Sequence, residues 1–318
     1  MHTILGAGGS VGKELVRELV SDGERVRLVA RNPKNADGSA EAVSADISNL
    51  DQTIKAVSGS AVVYLLVGLK YDLKIWRELW PRIMQNTIEA CKRAQARLIF
   101  FDNVYMYGHV NGVMTEQTPF NPCSKKGEIR AQIATVLLDE VKAGNIIGLI
   151  ARSADFYGPD ARNSVPNILV FDKFAKGNKA SWLVNDSVKH SLTFTLDAAK
   201  SLLFLAGNEK AWNQTWHVPT APNPPSGKEF IQLVANEFGV TPKYRILTKP
   251  MIRLAGWFDP TIRESYEMLY QSEYDYIFDS TKFERAFNFE PTSFAQGVRI
   301  TSAAFKKQLA SGRVAAAK

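Results

Sequence analysis

The stretch Ile4–Leu15, ILGAGGSVGKEL, sets an apolar run against Gly6, Gly9 and Gly12 and then passes into an amphipathic segment reaching to about Asp22. Glycines at a strand-to-helix turn let the backbone bend tightly and approach a diphosphate. They also let the helix pack on the strand, while its N-terminus supplies free amides and positive potential. The spacing therefore predicts a dinucleotide site built on Gly6, Gly9, Ser10, Val11 and Gly12.

Working outward, short apolar runs alternate with helical stretches: RVRLVA, EAVSADI, AVVYLLVG, RLIFFD and NIIGLIA read as strands. The helices between them read as NLDQTIKAVSG, LKIWRELWPRIMQNTIEACKRAQA and the segment that starts near Asn121. That alternation predicts an α/β protein with a doubly wound parallel sheet of Rossmann type. Beyond Gly158, clusters such as GPDARNSVP and VPTAPNPPSG break the rhythm into shorter elements. Residues 1–158 are read as the dinucleotide-binding domain, with 191–220 returning to it. Residues 159–190 and 221–318 are read as a smaller C-terminal substrate domain.

The chain has 318 residues, 45% of them hydrophobic, which suffices for a large core or for two cores sharing a cleft. Two cysteines, Cys91 and Cys123, form no disulfide framework or ligand set and suit a reducing compartment. The N-terminus lacks signal-peptide order and AVVYLLVGL is too short to span a bilayer, so a cytoplasmic protein without a membrane partner is expected. A net charge of +7 suits an anionic ligand. Nucleic acid is not expected, because the cations are scattered and no zinc-finger or aromatic RNA-binding pattern accompanies them. The histidines show no metal-ligand rhythm, so no metal is expected.

An NAD site commonly ends its second strand in a carboxylate for the adenosine ribose; this chain has LVARNPK there. Arg31, helped by Lys34, suits a 2′-phosphate, which predicts NADP(H) in preference to NAD(H). Asp46 and Ile47 end the third strand and could flank the adenine, although Asp46 could equally cap the helix starting near Asn49. Val67 and Gly68, after the fourth strand, complete the expected cofactor contacts.

The glycine spacing, the ADI of Ala45–Ile47, the YMYG of Tyr105–Gly108 and the RSADFYGP of Arg152–Pro159 together resemble an extended or atypical short-chain dehydrogenase/reductase. The NAD-dependent epimerase/dehydratase branch is the nearest match. The YIFDSTKFERAFNFEP of Tyr276–Pro291 is similar to a late pattern of that branch. The resemblance implies a tyrosine and a lysine four residues apart on the helix after the fifth strand, plus a serine or threonine at that strand's end. In such a triad the ammonium lowers the phenol's pKa and holds the nicotinamide ribose, and the phenol exchanges a proton with the substrate oxygen.

All three positions differ here. Lys126 stands at the tyrosine position, Arg130 at the lysine position and Asn103 at the serine position. Arg130 is expected to keep the ribose clamp. Three readings of Lys126 stand: a proton-exchanging group, an anchor for a substrate anion, or a solvated helix face. Tyr105 is the better replacement acid. Asp155 is expected to meet the nicotinamide carboxamide or to neutralise Lys126. Aromatics of the second domain, Trp257 and Phe258 among them, are expected in its core or roofing a substrate cavity. The resemblance also suggests a homodimer through the two long helices. Two functions follow: an NADP(H)-dependent oxidoreductase or epimerase-like enzyme on a small carbonyl or alcohol, or a non-catalytic NADP(H) sensor.

Overall fold

In the early strands adjacent residues are both buried, on opposite faces, which is what a parallel sheet covered on two sides requires. The computed structural model describes residues 1–33 and 38–312. Strands β1 (His2–Leu5), β2 (Val26–Ala30), β3 (Glu41–Ser44), β4 (Val62–Leu65) and β5 (Arg97–Asp102) alternate with helices α1 (Ser10–Ser21), α2 (Leu50–Val57) and α3 (Leu73–Ala94). Leu5, Val29, Val63, Leu65, Leu98 and Phe100 face α2, α3 and α4 (Lys125–Lys142). Ile4, Leu28, Val62, Tyr64 and Ile99 face α1 on the other side.

After β5 come a 3-10 turn at Tyr105–Tyr107, β6 (Val113–Met114), α4, β7 (Gly148–Arg152) and β8 (Asp155–Tyr157). A π-type turn at Asn167–Phe171 leads into α5 (Asp172–Ala175), β9 (Ala180–Leu183) and β10 (Leu192–Phe194). Then follow α6 (Thr195–Gly207), β11 (Thr215–His217), α7 (Gly227–Phe238), β12 (Tyr244–Leu247), α8 (Lys249–Ala255) and α9 (Pro260–Ser265). β13 (Ile277–Phe278), α10 (Thr281–Phe287) and α11 (Phe294–Ala310) close the described chain.

Among the described residues seven parallel strands form the main sheet in the order β3-β2-β1-β4-β5-β7-β11. The order reverses between β1 and β4, and a crevice opens there beyond the carboxyl ends of the strands, where ligands sit in such sheets. The pairings Asp102↔Arg152 and Arg152↔His217 set three polar residues in one row across β5, β7 and β11.

The elements beyond β8 form two populations. Strand β11 joins the main sheet, and α6 lays Ala198, Leu202 and Leu205 on the α1 face. A separate aromatic core gathers Tyr157, Phe171, Trp182, Phe230, Phe294 and Phe305 around α7 and α11. One segment departs from the expected partition. α10 packs Phe283 edge-on against Trp216 in the main-sheet core, so the stretch read as part of the smaller domain crosses back. No helix of the described residues is long and apolar enough to cross a membrane.

Leu202 is fully buried between α6 and the main sheet. Leu202→Ala should therefore destabilise the whole sheet domain by about 2–5 kcal/mol. Urea denaturation should show the loss in a single transition reported alike by far-UV circular dichroism and tryptophan fluorescence.

Candidate cofactor and active site

The glycine turn is built by close approach on one side and open space on the other. Gly6 has φ +94°, and a Cβ there would lie 2.6 Å from the Val67 Cα. Only glycine fits without displacing the turn after β4. A Cβ on Gly12 would sit 3.2 Å from the Ala7 Cα, so the glycine lets α1 pack on its own turn. Nothing lies within 4 Å of a Cβ placed on Gly8 or Gly9. Gly9 caps α1 with no side-chain hydrogen bond, and the first turn carries no acidic residue. The helix terminus thus keeps its positive end for an outside anion, and the turn fits a dinucleotide's diphosphate. Ser10 is half-buried, whereas Val11 is buried in the core beneath the turn. Val67 is half-buried against Gly6, and Gly68 beside it is exposed.

At the adenosine end, Arg31 is exposed just past β2, and its carbonyl accepts the Ser44 hydroxyl at 2.8 Å. Lys34 lies outside the described residues. Asp46 does not cap α2; Asn49 does, accepting the Gln52 amide at 3.0 Å. Asp46 instead folds its own turn, accepting the Ser48 amide at 2.9 Å and hydroxyl at 2.7 Å. Those bonds hold its pKa below the usual value, and the Arg31 and Arg82 charges add to the effect. Ile47 is buried beneath α2 and α3, and its carbonyl accepts Asn86 Nδ2 at 3.1 Å.

The three substituted triad positions are all occupied by internal partners. Lys126 is only 1% exposed, which removes the solvated-face reading. Its Nζ donates to Glu264 Oε2 at 2.7 Å, to the Glu264 carbonyl at 2.9 Å and to Glu267 Oε1 at 2.9 Å, with the Tyr71 ring beside it. An ammonium has three N–H groups, and all three are used. Neither acid comes from Asp155, contrary to one expectation. The same two carboxylates also reach helix N-termini: Glu264 accepts the Leu73 amide at 3.0 Å and Glu267 the Lys125 amide at 2.7 Å. The Lys126 ammonium is thereby met by acids brought from far along the chain, while Lys125 Nζ pairs with Glu128 of its own helix at 3.0 Å.

Arg130 is not directed at a ribose. Its Nε donates to Asp102 Oδ1 at 2.7 Å, its Nη2 reaches the same oxygen, and Trp80 and Phe100 flank the guanidinium. Asn103 organises the chain: its Oδ1 accepts the Tyr105 amide at 3.0 Å, and its own amide donates to Asp102 Oδ1 at 2.8 Å. Tyr105 stacks on Trp76, its hydroxyl pairs with that of Tyr71, and Asp155 stands near. Burial pushes the Tyr105 phenol well above its ordinary pKa, the Asp155 charge adds to this, and the group stays protonated. Asp155 Oδ2 pairs with His190 Nε2 at 3.0 Å, and His190 stacks on Tyr276.

Behind this lies a polar row that sequence reasoning missed. Arg152 is 1% exposed; its Nε is 3.7 Å from Asp102 Oδ2 and its Nη1 donates to the Tyr107 hydroxyl at 2.8 Å. His217 Nδ1 donates to the Asp279 carbonyl at 2.7 Å, so its Nε2 accepts from Tyr107 at 2.9 Å. Burial lowers the His217 pKa to about 3, with the Arg152 and Lys282 charges acting in the same direction. The only sequence signal was the arginine opening RSADFYGP, to which no role attached.

An open glycine turn at the switch point of a parallel sheet defines a dinucleotide-binding α/β protein. The chain belongs to the NAD dependent epimerase/dehydratase family, whose model matches residues 2–218. Among solved structures it is similar to UDP-glucuronic acid 4-epimerase from Bacillus cereus in complex with UDP-glucuronic acid and NAD. The two share 16% identity with a TM-score of 0.81, over 96% of this chain and 99% of that one. It is also similar to DesIV, a dTDP-glucose 4,6-dehydratase from Streptomyces venezuelae, as a double mutant with NAD and DAU bound. There the identity is 16% and the TM-score 0.80, over 98% of both chains. UDP-glucose 4-epimerase from Thermus thermophilus in complex with NAD follows, with 16% identity and a TM-score of 0.78 over 96% and 99%. At these identities the likeness is one of fold. No curated protein sequence matches.

The row at His217 carries a pH signature. Folded His217 stays neutral down to about pH 3, whereas the unfolded chain takes up a proton near pH 6.5. Its contribution is complete above pH 6.5 and is lost as the pH falls from there toward 3. Between pH 7.5 and 5.5 the loss from this one group should be about 1 kcal/mol. Urea titrations at the two pH values should show a correspondingly smaller drop for His217→Gln than for the wild type.

Proposed function

We propose that this protein is an NADP(H)-dependent oxidoreductase of its family acting on a small carbonyl or alcohol, with Tyr105 as proton donor in place of the usual tyrosine. The observation that carries the reading is the place of the Tyr105 hydroxyl, hydrogen-bonded to Tyr71 and near Asp155 just past the carboxyl end of β5. The bound cofactor would supply hydride chemistry. The turn from Gly6 to Gly12, with Ser10 and Val67–Gly68, would hold its diphosphate, and exposed Arg31 would pair with a 2′-phosphate through its planar donor fork. Arg130 serves the site indirectly, through Asp102 and Asn103, by fixing where Tyr105 leaves β5. Lys126 neither moves a proton nor anchors an anion while its three donors are taken. A cytoplasmic location belongs to the same proposal and suits the free thiols Cys91 and Cys123.

One observation favours a second reading, that of an NADP(H) sensor without turnover: the position of the family's proton-exchanging tyrosine holds an ion pair closed by Glu264 and Glu267. Fluorescence titration with NADPH and NADH, followed by a carbonyl screen, separates the two. NADPH should bind more tightly than NADH, and Arg31→Ala should weaken NADPH binding about tenfold, the size of one lost charge-assisted contact, without changing NADH. Equal wild-type affinities would remove the 2′-phosphate assignment. Tyr105→Phe should lower kcat at least about a hundredfold while nucleotide affinity holds. Binding without turnover on any carbonyl would support the sensor.

A further inference from the structure

Helices α8 and α9 form a hairpin, and its turn holds the two most exposed large hydrophobic side chains of the described residues, Trp257 at 74% and Phe258 at 83%. Leu254 at 56% and Met251 at 46% extend the patch along α8, whose only buried residue is Ile252. This reverses the expectation that these aromatics belong to the core. Helical spacing of apolar residues marks one face of a helix without saying what covers it.

Two basic side chains flank the patch. Arg253 and Arg263 are both exposed, and neither has an acidic partner among the described residues. Arg263 lies at the tip itself, because its Cα is 3.1 Å from where a Cβ on Gly256 would be. Of the hairpin's acids, Glu264 turns inward to Lys126 at 2.7 Å, while Asp259, exposed at the tip, accepts the Thr261 amide at 2.7 Å. What faces outward is an indole, a phenyl ring and aliphatic side chains, with two guanidiniums that lack an ion-pair partner against the single carboxylate of Asp259, on a chain of net charge +7.

We infer that the α8–α9 hairpin docks this protein on an anionic phospholipid surface. Trp257 and Phe258 enter the boundary between headgroups and acyl chains, and Arg253 and Arg263 pair with lipid phosphates. Aromatic rings settle at that boundary, and basic side chains beside them draw the segment to negatively charged lipid. The association is peripheral and depends on the surface alone, so it holds whether or not a dinucleotide binds. The absence of a spanning segment does not bear on it.

The full chain is mixed with sucrose-loaded vesicles of phosphatidylcholine with one quarter phosphatidylglycerol, and separately with phosphatidylcholine alone, then sedimented. The wild type should partition at least tenfold better onto the anionic vesicles, less so as salt is raised, and its fluorescence should be quenched by brominated acyl chains. Trp257→Ser with Phe258→Ser, and separately Arg253→Glu with Arg263→Glu, should each lower partitioning at least tenfold. Because the four positions are exposed, thermal melting should not change. Partitioning unaffected by either pair of substitutions would overturn the inference, as would no binding to any vesicle. So would a wild-type dimer in size-exclusion chromatography that the aromatic double variant converts to monomer without any lipid response, since the tip would then be covered by a second copy.

Discussion

The Asp102 carboxylate, fully enclosed at the end of β5, is held between the guanidiniums of Arg130 and Arg152. Taking such charges from water is costly, and removing one partner from a buried ionic group commonly costs about 3–5 kcal/mol. The arrangement therefore pins β5, β7 and α4 to one another at the point where the crevice opens. It also sets the exit of the chain: the Asn103 amide bonds Asp102, the Asn103 side chain bonds the Tyr105 amide, and the 3-10 turn follows from there. Tyr107 then links Arg152 to His217 and brings the edge strand β11 into the same network.

This network changes what the substituted triad means. With Arg130 turned to Asp102, the guanidinium acts as a strut inside the fold. With Lys126 between Glu264 and Glu267, the cation at the usual tyrosine position joins the core helices to the C-terminal hairpin. One substitution adds a positive charge and the other keeps one, on the same face of α4, and each is answered by an acid of the protein itself. Buried hydroxyls gather instead at Tyr71, Tyr105 and Tyr276 around Asp155.

Local pattern made the sheet legible. Strands β1–β5 and β7, the helices between them and the glycine turn follow from apolar alternation, caps and conformational freedom within a few residues. What was not legible depends on distant pairing. Lys126 meets its acids across 138 and 141 residues, and nothing near Glu264 or Glu267 signals a lysine on α4. Arg130, expected at a ribose because its position matches the family's lysine, instead meets Asp102, a carboxylate 28 residues back at the end of β5. The aromatics at Trp257 and Phe258 were ambiguous for another reason, since spacing alone does not distinguish a buried stripe from a bare one. α10 crossed the expected domain boundary because Phe283 finds Trp216 only in three dimensions.

The shared acids of Lys126 have a consequence for how this chain can vary. Restoring a tyrosine at position 126 in one step would leave two carboxylates facing each other beneath Tyr71, while neutralising either acid first would deprive a helix start of its partner. The three positions are thus epistatic. Substitutions at Lys126, Glu264 and Glu267 should therefore show coupled rather than additive effects on stability.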